Sequence, residues 1–198
     1  ADLRTLRQEL GEHAQRVVAL AEAGEGAKAL TELLRLRTLT AHREGEWGVS
    51  AWNAAIERQL ERDENEAWYH GRPILITRND PILGLMNGDI GVVSLVDGDR
   101  QVAFPDGEHQ IRAIAPARLE GVQTVHAMTI HKSQGSEFEH VVLVLPPGRS
   151  PLLTRELLYT GITRARTQLT IVGSAVALEI AIATPIQRAS GLRERLHA

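Results

Sequence analysis

An α/β chain, with a parallel sheet flanked by helices and a small antiparallel β-barrel inserted into it, is the architecture this sequence predicts. Three observations carry that reading. Strand-like and helix-like segments alternate at both ends of the chain, as in a parallel sheet. His140 to Leu145 reads HVVLVL, an unbroken apolar run of the kind buried on both faces of such sheets. From Gly71 the period shortens to small strands separated by turn signals. The expected partition is residues 1–70 and 122–198 for the α/β unit, with residues 71–121 as the barrel.

The elements follow in order. Leu3, Leu6, Leu10, Val17 and Leu20 mark an amphipathic helix over Asp2 to Ala23. Gly24 and Gly26 end it, and a second helix runs from Lys28 to Leu34. The GEGAK string between them is a helix–helix turn, because a phosphate-binding Walker loop needs G-x-x-x-x-G-K-[ST] and the chain has no such string. Leu36 to Ala41 reads as a strand. Ser50 is the expected cap of a helix carrying Trp52, Ile56 and Leu60 at four-residue intervals.

Pro73 to Thr77, Ile90 to Val96, Gln101 to Phe104 and Gln110 to Ala115 are the short strands of the inserted unit. Val122 to Ile130 is β-branched and reads as one strand leading into a polar loop. Thr154 and Ser174 are the expected caps of two later helices, with a strand over Gln168 to Val172 between them and a polar helical tail after Pro185.

Composition narrows the function classes. A hydrophobic fraction of 43% and a charged fraction of 24% over 198 residues are ordinary for a globular domain. No apolar run approaches membrane-spanning length. With no cysteine, disulfides and cysteine-ligated zinc are excluded, which fits a reducing cytoplasm. The eight histidines show no paired metal spacing, and no metal site is expected. A net charge of −3 argues against a uniformly basic nucleic-acid binder but leaves room for a local basic groove. The start, ADLRTLRQ, suggests a piece of a longer chain.

Two stretches hold more polar chemistry than packing requires. Lys132 to Glu137 crowds a cation, two hydroxyls, an amide, a glycine and a carboxylate into six positions at a strand end, where α/β folds concentrate ligand chemistry. Thr163, Arg164 and Arg166 sit between a helix and a strand. Arg43 lies in a glycine-containing strand-to-helix loop, from which it reaches a phosphate or stays a solvated arginine.

Together, AMTIHKSQGSEF and RELLYTGITRAR, with GRPILITRND and NGDIGVV between them, strongly resemble the motifs of superfamily 1 helicases. The match is to the RecD-type alpha subunits of exodeoxyribonuclease V, over roughly Leu36 to Leu192. The resemblance implies the RecA-like second lobe of an ATP-dependent 5′-to-3′ DNA helicase, with an SH3-like insert. ATP and Mg2+ would be bound by the full-length protein, whose Walker motifs belong to the first lobe. Single-stranded DNA, that first lobe, and RecB-like and RecC-like subunits are the implied partners.

By resemblance, Arg164 matches the arginine finger and Arg43 a second arginine facing the γ-phosphate. Gly135, Glu137 and Arg166 fall on the nucleotide side; Thr129, His131, Lys132, Ser133, Asn79 and Asn87 fall on the DNA side. Gly161, where relatives commonly carry Ala, is expected to loosen its helix slightly. The competing readings are a non-catalytic single-stranded DNA-binding module and a docking surface for other subunits.

Overall fold

The computed structural model describes residues 3–60, 65–107, 110–148 and 150–186. The expected helical tail after Pro185 lies mostly outside these residues. Helices α1 (Leu3–Glu22) and α2 (Gly26–Arg35) form a hairpin through Gly24, whose φ of 75° makes the reversal cheap for glycine. The chain then enters β1 (Leu36–Thr40) and α3 (Val49–Glu57). The strands β2 (Pro73–Ile76), β3 (Ile90–Val96), β4 (Asp99–Pro105), β5 (Ile111–Ile114) and β6 (Val122–Thr124) follow. After them come β7 (Ala127–Thr129), a 3-10 turn (Ile130–Ser133), β8 (Phe138–Val144), α4 (Arg155–Ile162), β9 (Ala165–Val172) and α5 (Ala175–Ala183).

Two sheets result. One is parallel, in the order β7-β1-β8-β9; the other is antiparallel, in the order β5-β4-β3-β2-β6. Asp97 and Gly98 both take positive φ at the β3–β4 hairpin, the turn expected for Asp-Gly between paired strands.

β8 is buried on both faces. Val141 and Leu143 pack into a core shared with α2 (Leu30, Leu33) and the antiparallel sheet (Leu75, Val92), while Val142 and Val144 join α1 and α3 (Leu10, Trp52, Ile56) on the other side. A third core, with Ile74, Val93, Val102 and Phe104, fills the other side of the antiparallel sheet.

Three expectations change. The single strand over Val122 to Ile130 is two: β6 pairs antiparallel with β2, and β7 pairs parallel with β1. The chain switches sheets at Val125–His126, and β-branched composition does not reveal which sheet a residue joins. Ser50 is not the cap of α3, which begins at Val49; Gly48 is, and a Cβ there would lie 2.5 Å from the Glu44 carbonyl oxygen. Ser50 Oγ donates instead to the Arg43 carbonyl and to Glu44 Oε2. Gly161 fits rather than loosens: it is buried, and an added Cβ would lie 2.8 Å from Leu143 Cδ1. Thr154 and Ser174 cap α4 and α5 as expected, accepting from Leu157 N and Ala177 N.

Candidate functional site

Register fixes where each candidate residue sits. Thr40 of β1 aligns with Thr129 of β7 and with Val144 of β8, while Phe138, at the start of β8, aligns with Ala165 of β9. Thr129 therefore lies at the carboxyl end of the parallel sheet, and Phe138 and Ala165 lie at the amino end. Six residues of strand separate the two ends, about 20 Å at ~3.3 Å per residue. The polar segment between Thr129 and Phe138 runs from one end to the other.

At the amino end, Arg164 is half-buried and folded back. Its Nε donates to the Thr160 carbonyl, one terminal nitrogen to the Ser136 carbonyl and the other to Thr163 Oγ1, each at 3.1 Å. The Phe138 N–H returns a bond to the Arg164 carbonyl at 2.8 Å. The guanidinium thus ties the polar segment to the α4–β9 junction. A guanidinium carries five N–H donors, so two remain for a ligand. Beside it, Arg166 Nε and Glu137 Oε2 form an exposed ion pair at 3.0 Å, so two residues expected to meet the nucleotide separately hold each other here. Gly135 takes φ 87° with nothing within 4 Å of a would-be Cβ, leaving open backbone for a ligand to approach.

At the carboxyl end, Thr129 caps the 3-10 turn, its Oγ1 accepting from Lys132 N at 3.3 Å. His131 and Lys132 are exposed on that turn. Lys132 Nζ donates to Gln123 Oε1 at 3.3 Å. Partial burial first, and the charge of Arg43 second, hold its ammonium below the usual lysine range. Ser133, by contrast, is fully buried, and its hydroxyl donates to the Ile130 carbonyl at 2.7 Å. It builds the turn and presents no hydroxyl to DNA in this conformation.

Arg43 stands with this group and not with Arg164. It lines one cleft with Lys132, Gln123 and Thr129, beyond the carboxyl end of β1. About the length of a strand separates it from Arg164, which lies at the amino end of the same sheet.

Asn79 and Asn87 lie in the loop between β2 and β3, where Asn79 Oδ1 accepts from Asn87 N at 2.8 Å. Asp80 Oδ1 caps Ile82 N and Leu83 N in the same loop. The asparagines thus brace a turn whose tip exposes Ile82 (91%) and Met86 (65%).

Sequence reasoning missed two residues. Gln123, in β6, completes the Lys132 cleft; its one signal was a polar residue beside the sheet switch. Arg37 is fully buried in β1, with its pKa pushed down by burial to about 10. It donates to the Val125 and Leu33 carbonyls and stacks 5.3 Å from the Phe138 ring. Among the described residues no group of three or more His, Asp or Glu side chains is placed to hold a metal ion, and no helix is long and apolar enough to cross a membrane.

Comparison with known proteins bears on these two ends. Residues 124–172 match a family model described as the UvrD-like helicase C-terminal domain. The RecBCD enzyme subunit RecD of Mycolicibacterium smegmatis is 45% identical over 199 residues, covering 96% of this chain and 34% of that protein. The RecD of Haemophilus influenzae is 41% identical over 167 residues, covering 81% of this chain and 25% of its own length. The ATP-dependent RecD2 DNA helicase of Deinococcus radiodurans is 33% identical over 170 residues, covering 82% of this chain and 24% of that protein. The chain spans about a third of the length of the first of these relatives. Among solved structures, the Pif1 helicase from Candida albicans shares the fold at a TM-score of 0.52 and 14% identity, over 86% of this chain and 53% of that one.

Proposed function

Because the chain belongs to the RecD family over nearly its whole length, we propose that it is the second motor lobe of an ATP-dependent 5′-to-3′ DNA helicase subunit of the RecBCD type. That subunit acts in double-strand-break repair and recombination, beside RecB-like and RecC-like subunits. The division into a RecA-like lobe (1–70 and 122–198) and an SH3-like insert (71–121) belongs to the same proposal. The observation that carries it is the layout of the parallel sheet: Arg164, Glu137, Arg166 and Gly135 gather at one end, Thr129, His131 and Lys132 at the other, and one short segment joins them.

ATP with Mg2+, bound in the full-length protein, supplies the driving free energy through cleavage of its terminal phosphate. This lobe contributes donors. Arg164, already braced by three hydrogen bonds, offers its two remaining N–H groups to charge developing on the γ-phosphate. Glu137, once released from Arg166, accepts from a ribose hydroxyl. Thr129, His131 and Lys132 hold the sugar–phosphate backbone, which fixes position without reading sequence.

The test is Arg164→Ala in the full-length protein. Turnover at saturating ATP should fall about 10³-fold or more, in the range known for arginine fingers, with nucleotide affinity changed far less. Turnover left near the unmodified rate would overturn the assignment. The isolated chain should hydrolyse ATP negligibly, and robust hydrolysis by it would overturn the second-lobe reading.

A further inference from the structure

Burying a guanidinium with no carboxylate beside it costs free energy that an apolar side chain of similar volume avoids. Arg37, the second residue of β1, is such a group. It is 1% exposed, no carboxylate pairs with it among the described residues, and its Nε has no hydrogen-bond partner. Packing alone does not call for a charge there; the contacts of the charge do. One terminal nitrogen donates to the Val125 carbonyl, where the chain leaves the antiparallel sheet for the parallel one. The other donates to the Leu33 carbonyl in the last turn of α2, where carbonyls lack helical partners and favour a cation. The guanidinium carbon lies over the Phe138 ring, 5.3 Å from its centroid, within cation–π range.

Phe138 connects that junction to Arg164. Its side chain is 2% exposed in the shared core, and its N–H donates to the Arg164 carbonyl at 2.8 Å. Two residues earlier, the Ser136 carbonyl accepts from the Arg164 guanidinium at 3.1 Å. The main chain and the side chain of Arg164 are thus both held by the three residues that end on Phe138. A register shift between Phe138 and His140 interrupts even pairing with β9, so the ladder by itself does not fix where the Phe138 ring sits.

We propose that Arg37 is a positioning residue for ATP cleavage: its guanidinium fixes the Phe138 ring against the sheet junction, and Phe138 in turn fixes Arg164. Fully buried, Arg37 touches neither nucleotide nor DNA. This rests on the arginine-finger reading above, and the variants below separate failure of one from failure of the other.

In the full-length protein, ATP turnover at saturating oligo-dT is measured for Arg37→Met, Arg37→Lys, Phe138→Leu and Arg164→Ala. The first three are then each combined with Arg164→Ala, and thermal midpoints check folding. Arg37→Met should lose about tenfold or more in kcat, because misplacing a reacting group by about 1 Å costs up to about 10²-fold. The ATP KM should stay unchanged, since the finger acts in the transition state. So should the oligonucleotide concentration for half-activation, because Thr129 and Lys132 lie at the other end of the sheet. Phe138→Leu should behave like Arg37→Met. Arg37→Lys keeps a cation near the ring but loses the fork that spans Val125 and Leu33, so it should lose less. On the Arg164→Ala background none of the three should lower turnover further, because nothing is left to position.

A loss in Arg37→Met that is repeated in full on the Arg164→Ala background would mark a general structural defect and overturn the proposal. Unchanged kcat in folded Arg37→Met, with Arg164→Ala crippled, would overturn it while leaving the finger in place. Should Arg37→Met fail to fold, Arg37→Lys and its double variant decide by the same comparison. Turnover untouched by Arg164→Ala removes the finger assignment, and the positioning role with it.

Discussion

Arg37 illustrates how a single residue can serve the fold at a cost. Its guanidinium is fully buried and no carboxylate pairs with it among the described residues; two backbone carbonyls and the Phe138 ring take that place, and its Nε has no partner. A buried charge stays charged here, because a pKa of about 10 is still well above neutrality. Arg37→Ala should destabilise the chain by about 3 kcal/mol, since it leaves both a cavity and the Val125 carbonyl without its donor. Arg37→Met, which keeps volume and removes the desolvation cost, should be clearly milder. Urea unfolding compares the two, and equal losses would argue against this account. Nothing in the residues around Arg37, from Leu36 to Thr40, announces a buried cation; the sequence shows an ordinary polar position in a strand. Thr129, Lys132 and Arg164 were legible as chemistry because polar residues crowd there beyond what packing needs. Their partners were not, because Gln123 and Arg43 reach Lys132 only through tertiary folding.

For the elements, local signals and packing can point in opposite directions. The caps at Thr154 and Ser174 were readable because a hydroxyl three residues before an orphan N–H satisfies it whatever the fold. Gly161 was not. Helix propensity alone favours Ala there by about 1 kcal/mol, yet the added methyl would meet Leu143, a fully buried strand residue with little room to move. Overpacking of this kind typically costs about 1–3 kcal/mol, so Gly161→Ala should lower the thermal midpoint by a few degrees. A raised midpoint would show that Leu143 yields easily. The split of Val122–Ile130 into β6 and β7 follows the same logic. Composition marks both pieces as strand, and only the two competing sheets decide where the chain changes partner.

The whole molecule is held by a core that both sheets share with α2, so its stability responds to charge buried at a distance from either candidate site. His13 is 7% exposed, with Nε2 2.8 Å from the Glu32 carbonyl, and burial pulls its pKa below the ordinary 6.5. Half-buried His140, 2.9 Å from Thr170 Oγ1, is lowered in the same direction, chiefly by burial. Below pH 6.5 the unfolded chain therefore binds more protons than the folded one. Stability from these groups is complete above that pH and is lost as pH falls through the folded values. The thermal midpoint should drop between about pH 7 and pH 5, and less steeply in His13→Gln; a flat profile would refute the burial argument.

The segment from Thr129 to Phe138 has a mechanical consequence at this same scale. The 3-10 turn rises only about 2 Å per residue, and the Ser136 N–H to Ser133 carbonyl bond closes a second tight turn. The contour left to the chain is close to the about 20 Å it must cover. While both turns keep their hydrogen bonds, a strap with so little slack cannot absorb a displacement at one end. It can only pass the displacement on, so movement of Arg164's neighbour Ser136 becomes tension at Lys132 within the length of a single strand.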